Sequence, residues 1–379
     1  MPTQIQPISS DKEISEFIDL QWDIYKHDPY WVPPLVLERK DHLNTKKNPF
    51  FKHAQVQLFV ARNEKGKVIG RISAQLNEEY DKIYGKGTGF FGFFEAPEDP
   101  ALAEALMATA ERWCKEKGCT KIIGPMSFSI NDECGLLVEG FETPPYIFMA
   151  HNPRYYQRLI EANGYQKAKD LIAWHFDFSK EAPEGAVQFC EYVKSAPGVK
   201  IRNLDPNNME RDVTLLLEVF NEAWSQNWGY VPLTKAESQK LAEDFKLLAD
   251  PGLIQMIEVE EKLAAVSMGL PNLHEVIKDL NGCRNPLNLA RLLYRVKAKK
   301  FTQMRLVILG VKKEYRGGIF AGGALSVALY VIAHQACVSL GYKTGELGWT
   351  LEDNDKINKG IELMGASRYK LYRLYEKTL

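Results

Sequence analysis

The sequence contains one arrangement of predicted elements twice, about 200 residues apart. A short strand at Ile5 to Ile8 is followed by an amphipathic stretch and the loop Asp28-Pro-Tyr-Trp-Val-Pro. The same order recurs from Val199, again as a strand, an amphipathic stretch and an aromatic-Val-Pro loop, Trp228-Gly-Tyr-Val-Pro. A repeat with a long, fixed period constrains the fold more than any single motif. It predicts that one folding unit has been duplicated.

The correspondence continues through the rest of each half. Alternating apolar runs around a polar turn predict hairpins over 56–72 and 254–268. Matched helix ends follow at Gly164 and Gly365, where glycine suits the position after a helix. The offset is 196 residues between positions 5 and 201, and 201 residues between 164 and 365. Four matches in the same order support duplication.

Each half predicts helices alternating with strands. In the first half a helix over Pro100 to Lys117 lies between a strand-like run at 89–95 and a short strand at 121–123. In the second half the near-continuous apolar run 305–311 precedes a helix from about 321 to 340. A continuous apolar strand is typical of a sheet covered on both faces. We therefore expect a mixed α/β fold, with domains over 1–180 and 186–379.

Composition excludes several classes of protein. The 48 Lys+Arg balance 49 Asp+Glu, so there is no overall basic field for DNA. The six cysteines are scattered without a CxxC pair, and we expect no metal site. The N-terminus lacks a signal-like pattern, and no continuous apolar run reaches about 18 residues. These features predict a cytoplasmic protein.

Several strings give the sequence a family resemblance. They are D-P-Y-W-V-P-P-L from Asp28, G-F-F-G-F-F-E from Gly89, H-N-P-R-Y-Y from His151, and P-N-L-H-E-V-I-K from Pro271. With the repeated unit, they resemble the tandem members of the GNAT acyltransferase superfamily, and more closely bacterial GNAT-like proteins of the YghO type. The resemblance implies two GNAT-like units and transfer of an acyl group from acetyl-CoA or a longer acyl-CoA to an amine.

The resemblance also suggests where CoA binds. The superfamily holds the CoA pyrophosphate on backbone N–H groups of a turn that enters a helix, with the pattern V-x-P-x-x-R-x-x-G-x-G/A. Val311 and Arg316 keep that spacing, and with one residue deleted Gly318, rather than Ile319, takes the first Gly position. The expected CoA-binding residues are Leu309, Val311, Arg316, Gly317, Gly318, Ile319, Ala321 and Gly322. The alternative is that these glycines only let the helix pack closely on the sheet.

The first half offers no such turn. Ala96-Pro-Glu-Asp-Pro-Ala follows Glu95, and its carboxylates would repel a pyrophosphate while its prolines lack N–H donors. We therefore expect the acyl-CoA site in the C-terminal unit, facing the N-terminal unit. The N-terminal unit is expected to act as scaffold and substrate-side wall.

Candidate catalytic groups follow from the resemblance and from the residues. The superfamily polarises the thioester carbonyl with backbone N–H groups, here around Leu309 to Val311. Asn354 matches the Asn that opens the last helix, whereas Ile361 holds the position where many members have a Tyr acid. Glu346, between apolar neighbours, is a candidate base with a raised pKa. Glu352 is a further candidate, although it can equally serve the start of the next helix.

Candidate substrate contacts are mostly aromatic. Trp31, Tyr230 and Trp349 are expected either to line an acceptor cleft between the units or to pack in the core. Asn131 lies on a polar loop after a short strand, where α/β folds place ligands, and a solvated surface loop is the alternative. His151, before a Pro turn, is expected to have only a plain hydrogen-bonding role.

The segment 271–301 is expected to be an inserted helical segment. Within 287–300 it combines an apolar stripe with basic residues, namely Leu289, Leu292, Leu293 and Val296 beside Arg291, Arg295, Lys297, Lys299 and Lys300. Such a helix can pack its stripe on the core, make peripheral membrane contact, or bind RNA or another anion. A cover over an acyl tunnel is a further interpretation.

Three functions remain open from the sequence. The favoured hypothesis is an N-acyltransferase that moves an acyl group from acyl-CoA to a small-molecule or lipid-like amine. One alternative is an inactive GNAT-fold binding protein. The other is a Fem-like transferase that uses aminoacyl-tRNA, against which the net charge of −1 argues. The sequence leaves the oligomeric state open.

Overall fold

A computed structural model describes residues 4–245, 248–298 and 301–379. The chain forms two compact units. The N-terminal unit comprises Met1–Leu171, Ile277–Leu293 and Lys370–Leu379, and the C-terminal unit comprises Ile172–Val276 and Tyr294–Tyr369. These units differ from the two expected sequence halves, because two later segments of the chain belong to the N-terminal unit.

The described elements follow the predicted order. Up to residue 177 they are β1 (Gln4–Ile8), α1 (Asp11–Ile24), α2 (Val36–His42), β2 (Ala54–Arg62), β3 (Val68–Asn77), α3 (Glu78–Tyr84), β4 (Thr88–Glu95), α4 (Pro100–Glu116), β5 (Lys121–Gly124), β6 (Met126–Ser127), β7 (Glu133–Cys134), β8 (Leu136–Glu139), α5 (Tyr155–Ala162) and β9 (Gln166–Asp177).

The later elements repeat that order with additions. They are α6 (Glu184–Ser195), β10 (Val199–Asn203), α7 (Met209–Trp224), α8 (Lys235–Phe245), β11 (Ile254–Val259), β12 (Lys262–Pro271), α9 (His274–Ile277), α10 (Pro286–Lys297), β13 (Gln303–Val311), α11 (Ala324–Leu340), β14 (Thr344–Leu351), α12 (Asp355–Leu363) and β15 (Ser367–Thr378).

The two units build their sheets with the same pairing. In the N-terminal unit β1, β2, β3 and β4 pair antiparallel in sequence order, and β4 then pairs parallel with β5. In the C-terminal unit β10 to β13 pair antiparallel in order, and β13 pairs parallel with β14. The last residues of β15 complete the N-terminal sheet, with Tyr375 opposite Gly124 on β5.

Helix α4 shows how the sequence sets an element that positions the core. Asp99 caps it by accepting from the amides of Ala101 and Leu102, and Pro100 occupies the first helical position. Leu102 and Leu106 recur at helical spacing and are buried against the N-terminal sheet. The observed helix therefore begins where the sequence predicts.

Helix α11 is apolar on most of its surface. With the preceding turn, Gly318–Leu340 is long and apolar enough to cross a membrane, with a mean hydropathy of 1.6 over its best window. It is the single segment among the described residues that meets this criterion of length and composition, which the search for an unbroken apolar run did not detect. Of that window 39% is buried, and α11 packs against α6, β12 and β13. A core helix passes the same test, so this is weak evidence for a membrane span.

Candidate active site

Strands β13 and β14 of the C-terminal unit separate partway along their length. Their described parallel pairing ends at Leu306 opposite Leu347, although β13 continues to Val311 and β14 to Leu351. A cavity of about 50 Å³ opens beside the separated ends. Its lining is mostly apolar and aromatic and includes Trp224, Leu309, Tyr330, Leu347, Trp349 and Ile361.

Three of the expected site residues meet at this cavity. Leu309, Trp349 and Asn354 all line it. Trp349 packs edge-on against Trp224, with ring centroids 5.8 Å apart. Burial raises the pKa of the Tyr330 hydroxyl above its usual range, so that hydroxyl stays protonated near neutral pH. Sequence reasoning missed Trp224 and Tyr330, which lie on helices far from the quoted motifs.

The glycine-rich turn before α11 is exposed. Gly318, Gly322 and Gly323 have φ values of +59°, +72° and +82°, a region that favours glycine. A methyl group added at any of them would meet open space. Ile319 is 56% exposed, whereas Phe320 is buried. The positive φ at Gly318 fits the alignment in which it, rather than Ile319, takes the glycine position.

The other expected residues of this turn make internal contacts. Arg316 donates from Nε and Nη2 to the backbone oxygen of Val311, at 3.0 and 2.8 Å. It therefore braces the end of β13 instead of standing as a free cation. The amide of Phe320 donates to Gly317 O, and Ile319 O accepts from Tyr192 Oη. The first turn of α11 carries no acidic side chain, so the exposed turn suits an anionic group.

Glu346 does not lie in the cavity. Its carboxylate is fully buried and pairs with Arg305 on the neighbouring strand, at 3.0 Å from Nε. The Tyr369 hydroxyl also donates to it, and Arg305 further donates to Gly348 O at 2.9 Å. The charge that a base would use is therefore balanced by an arginine. Glu352, the other acidic candidate, is half-buried and does not line the cavity either.

The remaining expected substrate residues lie elsewhere. Tyr230 is buried in the C-terminal core, and its hydroxyl donates to Asn221, which corresponds to the core-packing alternative. Asn131 is exposed on the loop between β6 and β7. Trp31 belongs to the N-terminal unit and stacks on Tyr25 at 5.1 Å. The cleft that these residues were expected to share is not described by their contacts.

Strands β4 and β5 of the N-terminal unit separate in the same way. Their described pairing ends at Phe90 opposite Ile123, while β4 continues to Glu95. The cavity beside them measures about 80 Å³. In contrast to the C-terminal cavity its lining is polar and charged, and includes Arg39, Arg71, Glu95, Ser127, Glu133 and His151.

A buried ion pair forms one wall of this cavity. Arg71 on β3 lies 3.3 Å from Glu95 on β4, and both side chains are almost fully buried. Glu95 also accepts from Gln21, from Tyr25 and, at 2.6 Å, from Tyr156. Burial raises the pKa of Glu95, opposed by Arg71 and these hydrogen bonds. So many donors leave Glu95 a structural anchor.

A histidine and an aspartate face each other at the same cavity. His151 Nε2 lies 2.8 Å from Asp28 Oδ2, and the His151 side chain is 4% exposed. Tyr25 Oη lies 3.0 Å from the backbone oxygen of His151 and the same distance from Glu95 Oε2, which ties the pair to the wall. Sequence reasoning missed this arrangement. The available signal was that Asp28 and His151 each occur beside prolines in the strings that carry the family resemblance.

The N-terminal unit does not present an open turn for an anion. The amides at the start of α4 donate to its own cap, Asp99, and the amide of Ala96 donates to Tyr156 Oη. Those donors are already used, and Glu98 and Asp99 add negative charge. The arrangement agrees with the expected absence of a pyrophosphate turn from this unit.

Helix α10 does not pack the stripe that the sequence presents. Only Leu292 of its leucines is buried, whereas Leu287, Leu293 and Tyr294 are 62%, 56% and 64% exposed. Helical spacing places these exposed side chains away from Leu292. Core packing of the whole stripe is therefore wrong. Lys299 and Lys300 lie outside the described residues.

Comparison with solved structures supports the fold. The chain is similar to a tandem GNAT protein from the clavulanic acid biosynthesis pathway, with a TM-score of 0.58, 13% identity, and coverage of 100% of this chain and 98% of that one. A GCN5-related glucosamine N-acetyltransferase region of a fungal multidomain β-N-acetylglucosaminidase gives 0.59 and 14%, covering 99% of this chain and 38% of that one. Identities this low show the fold alone.

Comparison with known sequences gives closer relatives. No family model matches the sequence. The chain is 39% identical to the bacterial ceramide synthase of Caulobacter vibrioides over 375 residues, 98% of this chain and 97% of the relative. It is 36% identical to protein YghO of Escherichia coli over 376 residues, 99% of this chain and 95% of the relative. The chain therefore belongs to the family of these two proteins and has the tandem GNAT fold.

Proposed function

We propose that the protein is an acyl-CoA-dependent N-acyltransferase whose acceptor is a long-chain amino alcohol, so that the product is a ceramide-like amide. The observation that carries this proposal is the 39% identity, over nearly the whole length, to a relative named bacterial ceramide synthase. In the reaction the acceptor nitrogen bonds to the thioester carbonyl carbon and the carbon–sulfur bond breaks. The electron pair leaves with the CoA sulfur, and the nitrogen loses one proton.

The C-terminal unit has the features that an acyl-CoA requires. The exposed turn over 317–322 offers backbone N–H groups at the start of α11 to the CoA diphosphate. Backbone N–H groups near Leu309 and Val311 would polarise the thioester carbonyl. The apolar cavity beside them, with Trp224 and Trp349 in its lining, suits acyl carbon better than a charged group.

A direct test measures turnover and donor binding. The purified protein is incubated with acetyl-CoA or longer acyl-CoAs and a long-chain 2-amino-1,3-diol, and amide formation and thiol release are followed together. We expect one amide per thiol and a preference for longer acyl chains. Acyl-CoA binding without any amide would instead indicate an inactive binding protein, and no binding at millimolar concentration would remove the proposal.

A pair of variants tests the turn itself. Ile319→Glu adds a carboxylate to an exposed position of the turn, and Ile319→Gln is the matched neutral control. Repulsion between the new charge and the diphosphate is expected to weaken acyl-CoA binding about tenfold at low salt, with a smaller loss at high salt. Equal binding by the two variants would show that the diphosphate lies elsewhere.

Helix α10 suggests how a long-chain acceptor is reached. Its exposed Leu287, Leu293 and Tyr294 are accompanied by exposed Arg291 and Lys297 on the same helix. Apolar side chains flanked by cations are the pattern of a helix that lies in the surface of an anionic membrane. We propose that α10 docks on an anionic lipid surface, where a long-chain amine would itself be dissolved.

Vesicle sedimentation tests this docking. Leu293→Glu is compared with Leu363→Glu, which changes a similarly exposed leucine on α12. With vesicles containing phosphatidylglycerol we expect at least a tenfold loss for Leu293→Glu and little change for Leu363→Glu, because insertion of one leucine contributes about 1.5–3 kcal/mol. Equal binding to neutral phosphatidylcholine vesicles would contradict the charge argument, and no binding would contradict the docking.

A further inference from the structure

The N-terminal cavity contains polar atoms whose hydrogen-bonding capacity is unused. Among the described residues, Nδ1 of His151 and Nε of both Arg39 and Arg71 are buried and have no hydrogen-bond partner. All three side chains line the cavity of about 80 Å³. A buried polar group without a partner costs about 1–3 kcal/mol, and three of them around one space indicate a polar ligand.

The position of the His151 proton follows from its partner. An ionised carboxylate only accepts hydrogen bonds, so the Nε2 that faces Asp28 carries the proton. In a neutral imidazole the lone pair is then on Nδ1, the atom without a partner. Burial lowers the pKa of His151 below its ordinary value of 6.5, although Asp28 opposes this. The ring is therefore neutral at pH 7.

We propose that this cavity binds the amine of the acceptor together with a neighbouring hydroxyl, and that His151 is the catalytic base that accepts the amine proton. The proposal rests on the proposed N-acyltransferase function and deepens it. It makes the N-terminal unit the acceptor site, a role beyond that of a scaffold.

The chemistry of the lining selects this kind of ligand. The Nδ1 lone pair accepts from an N–H group, whereas the Nε–H groups of Arg39 and Arg71 require an acceptor such as a hydroxyl oxygen. The two acidic side chains of the lining are already paired, Glu95 with Arg71 and Glu133 with Arg39 at 2.7 Å. At ~30 Å³ per water molecule the cavity equals about three waters. It therefore holds the polar head of an amino alcohol and excludes its chain.

The proton transfer balances within the reaction already stated. As the nitrogen bonds to the acyl carbon, its proton moves to His151 Nδ1. The electron pair of the carbon–sulfur bond leaves on the CoA thiolate, and the imidazolium later returns its proton to solvent. Asp28 stabilises the imidazolium and holds the ring, as the acid of a Ser-His-Asp triad does.

The charges around His151 determine its pH response. Asp28 contacts it directly and raises its pKa, while Lys278 and Lys370 lower it. Tyr25, with ring centroids 6.0 Å away, is the other titratable group against it, and burial raises the pKa of that hydroxyl well above its usual range. Activity should therefore fall on the acidic side as His151 becomes protonated, and Asp28→Asn should move that acidic limb to lower pH.

The decisive experiment compares His151→Gln with His27→Gln, a change at an exposed histidine outside the cavity. We expect His151→Gln to lower kcat by about 100-fold or more, the usual contribution of a general base, with acyl-CoA affinity unchanged. Added imidazole should restore activity to His151→Ala. A kcat within threefold of wild type, or no rescue together with an unmoved acidic limb in Asp28→Asn, would overturn the role of His151.

A binding measurement separates this inference from the proposed function. 2-Amino-1,3-propanediol, which carries the head without the chain, is titrated into the protein without CoA while the histidine NMR signals are followed. A shift of the His151 signal that is absent in His151→Gln supports the site even if the wild type makes no amide. An unshifted signal at saturating amino alcohol overturns it, even if acyl transfer is observed.

Discussion

In both units two parallel strands separate toward one end, but the side chains beside the separation are of opposite kinds. The C-terminal cavity is lined by aromatic and aliphatic side chains and lies in the unit with the exposed glycine turn. The N-terminal cavity is lined by arginines, carboxylates and a histidine, in a unit whose equivalent helix start is capped by Asp99. A duplicated fold has kept one geometry and divided polar from apolar work between its copies.

The ion pairs show the same divergence. Arg71 and Glu95 join β3 to β4 and form a wall of the N-terminal cavity. Arg305 and Glu346 join β13 to β14 and lie outside the lining of the C-terminal cavity. A buried pair thus serves a site in one unit and the sheet in the other.

The largest expected effect comes from breaking the N-terminal pair. Arg71→Met leaves Glu95 as an unbalanced buried carboxylate and should lower the free energy of unfolding by about 3–5 kcal/mol in urea titrations. Adding Glu95→Gln should restore at least half of the loss, because the neutral amide keeps its hydrogen-bond partners. Lys82→Met, which removes an exposed partner of Glu79, is the control and should cost below about 1 kcal/mol. Equal losses for both arginine and lysine variants would contradict the contrast.

A smaller effect tests the apolar character of the C-terminal cavity. Leu309→Trp should fill the space beside the separated strands and raise KM for long acyl-CoAs about tenfold, while KM for acetyl-CoA changes less than threefold. Steady-state kinetics over a series of chain lengths would measure this. If acetyl-CoA and long acyl-CoAs suffered alike, the cavity would not be the place of the acyl chain.

The pH dependence of stability should differ between the units by a more modest amount. Burial lowers the pKa of His42 and His151 in the N-terminal unit, and of His175 in the C-terminal unit, below the ordinary value of 6.5. The unfolded chain then binds more protons, so stability is full above pH 6.5 and decreases as pH falls below it. Hydrogen exchange at pH 7.5 and 5.5 should show the greater loss of protection in the N-terminal unit.

The smallest expected effect concerns Glu346. Because Arg305 balances its charge outside the cavity, Glu346→Gln should leave the acidic limb of the kcat profile in place, even though the fold becomes less stable. The profile is measured at a temperature where the variant is folded. A shifted limb would return Glu346 to the role of base that its sequence neighbours suggested.

Local chemistry was legible in the sequence, and long-range pairing was not. The hairpins, the start of α4 at Pro100 and the glycine turn before α11 follow from residues close together in the chain. Glu346 looked like an isolated buried acid, because its partner Arg305 is fixed by the register of two parallel strands. His151 looked structural for a similar reason, since Asp28 lies 123 residues away.

The path of the final strand has a consequence for biosynthesis. The N-terminal sheet receives residues 370–378 along β5, and Tyr375 belongs to its core. A nascent chain on the ribosome therefore exposes the edge of β5 until almost the whole protein has been translated. The first unit to emerge is the one that must wait, so its early stretch is where chaperone attention should concentrate during synthesis.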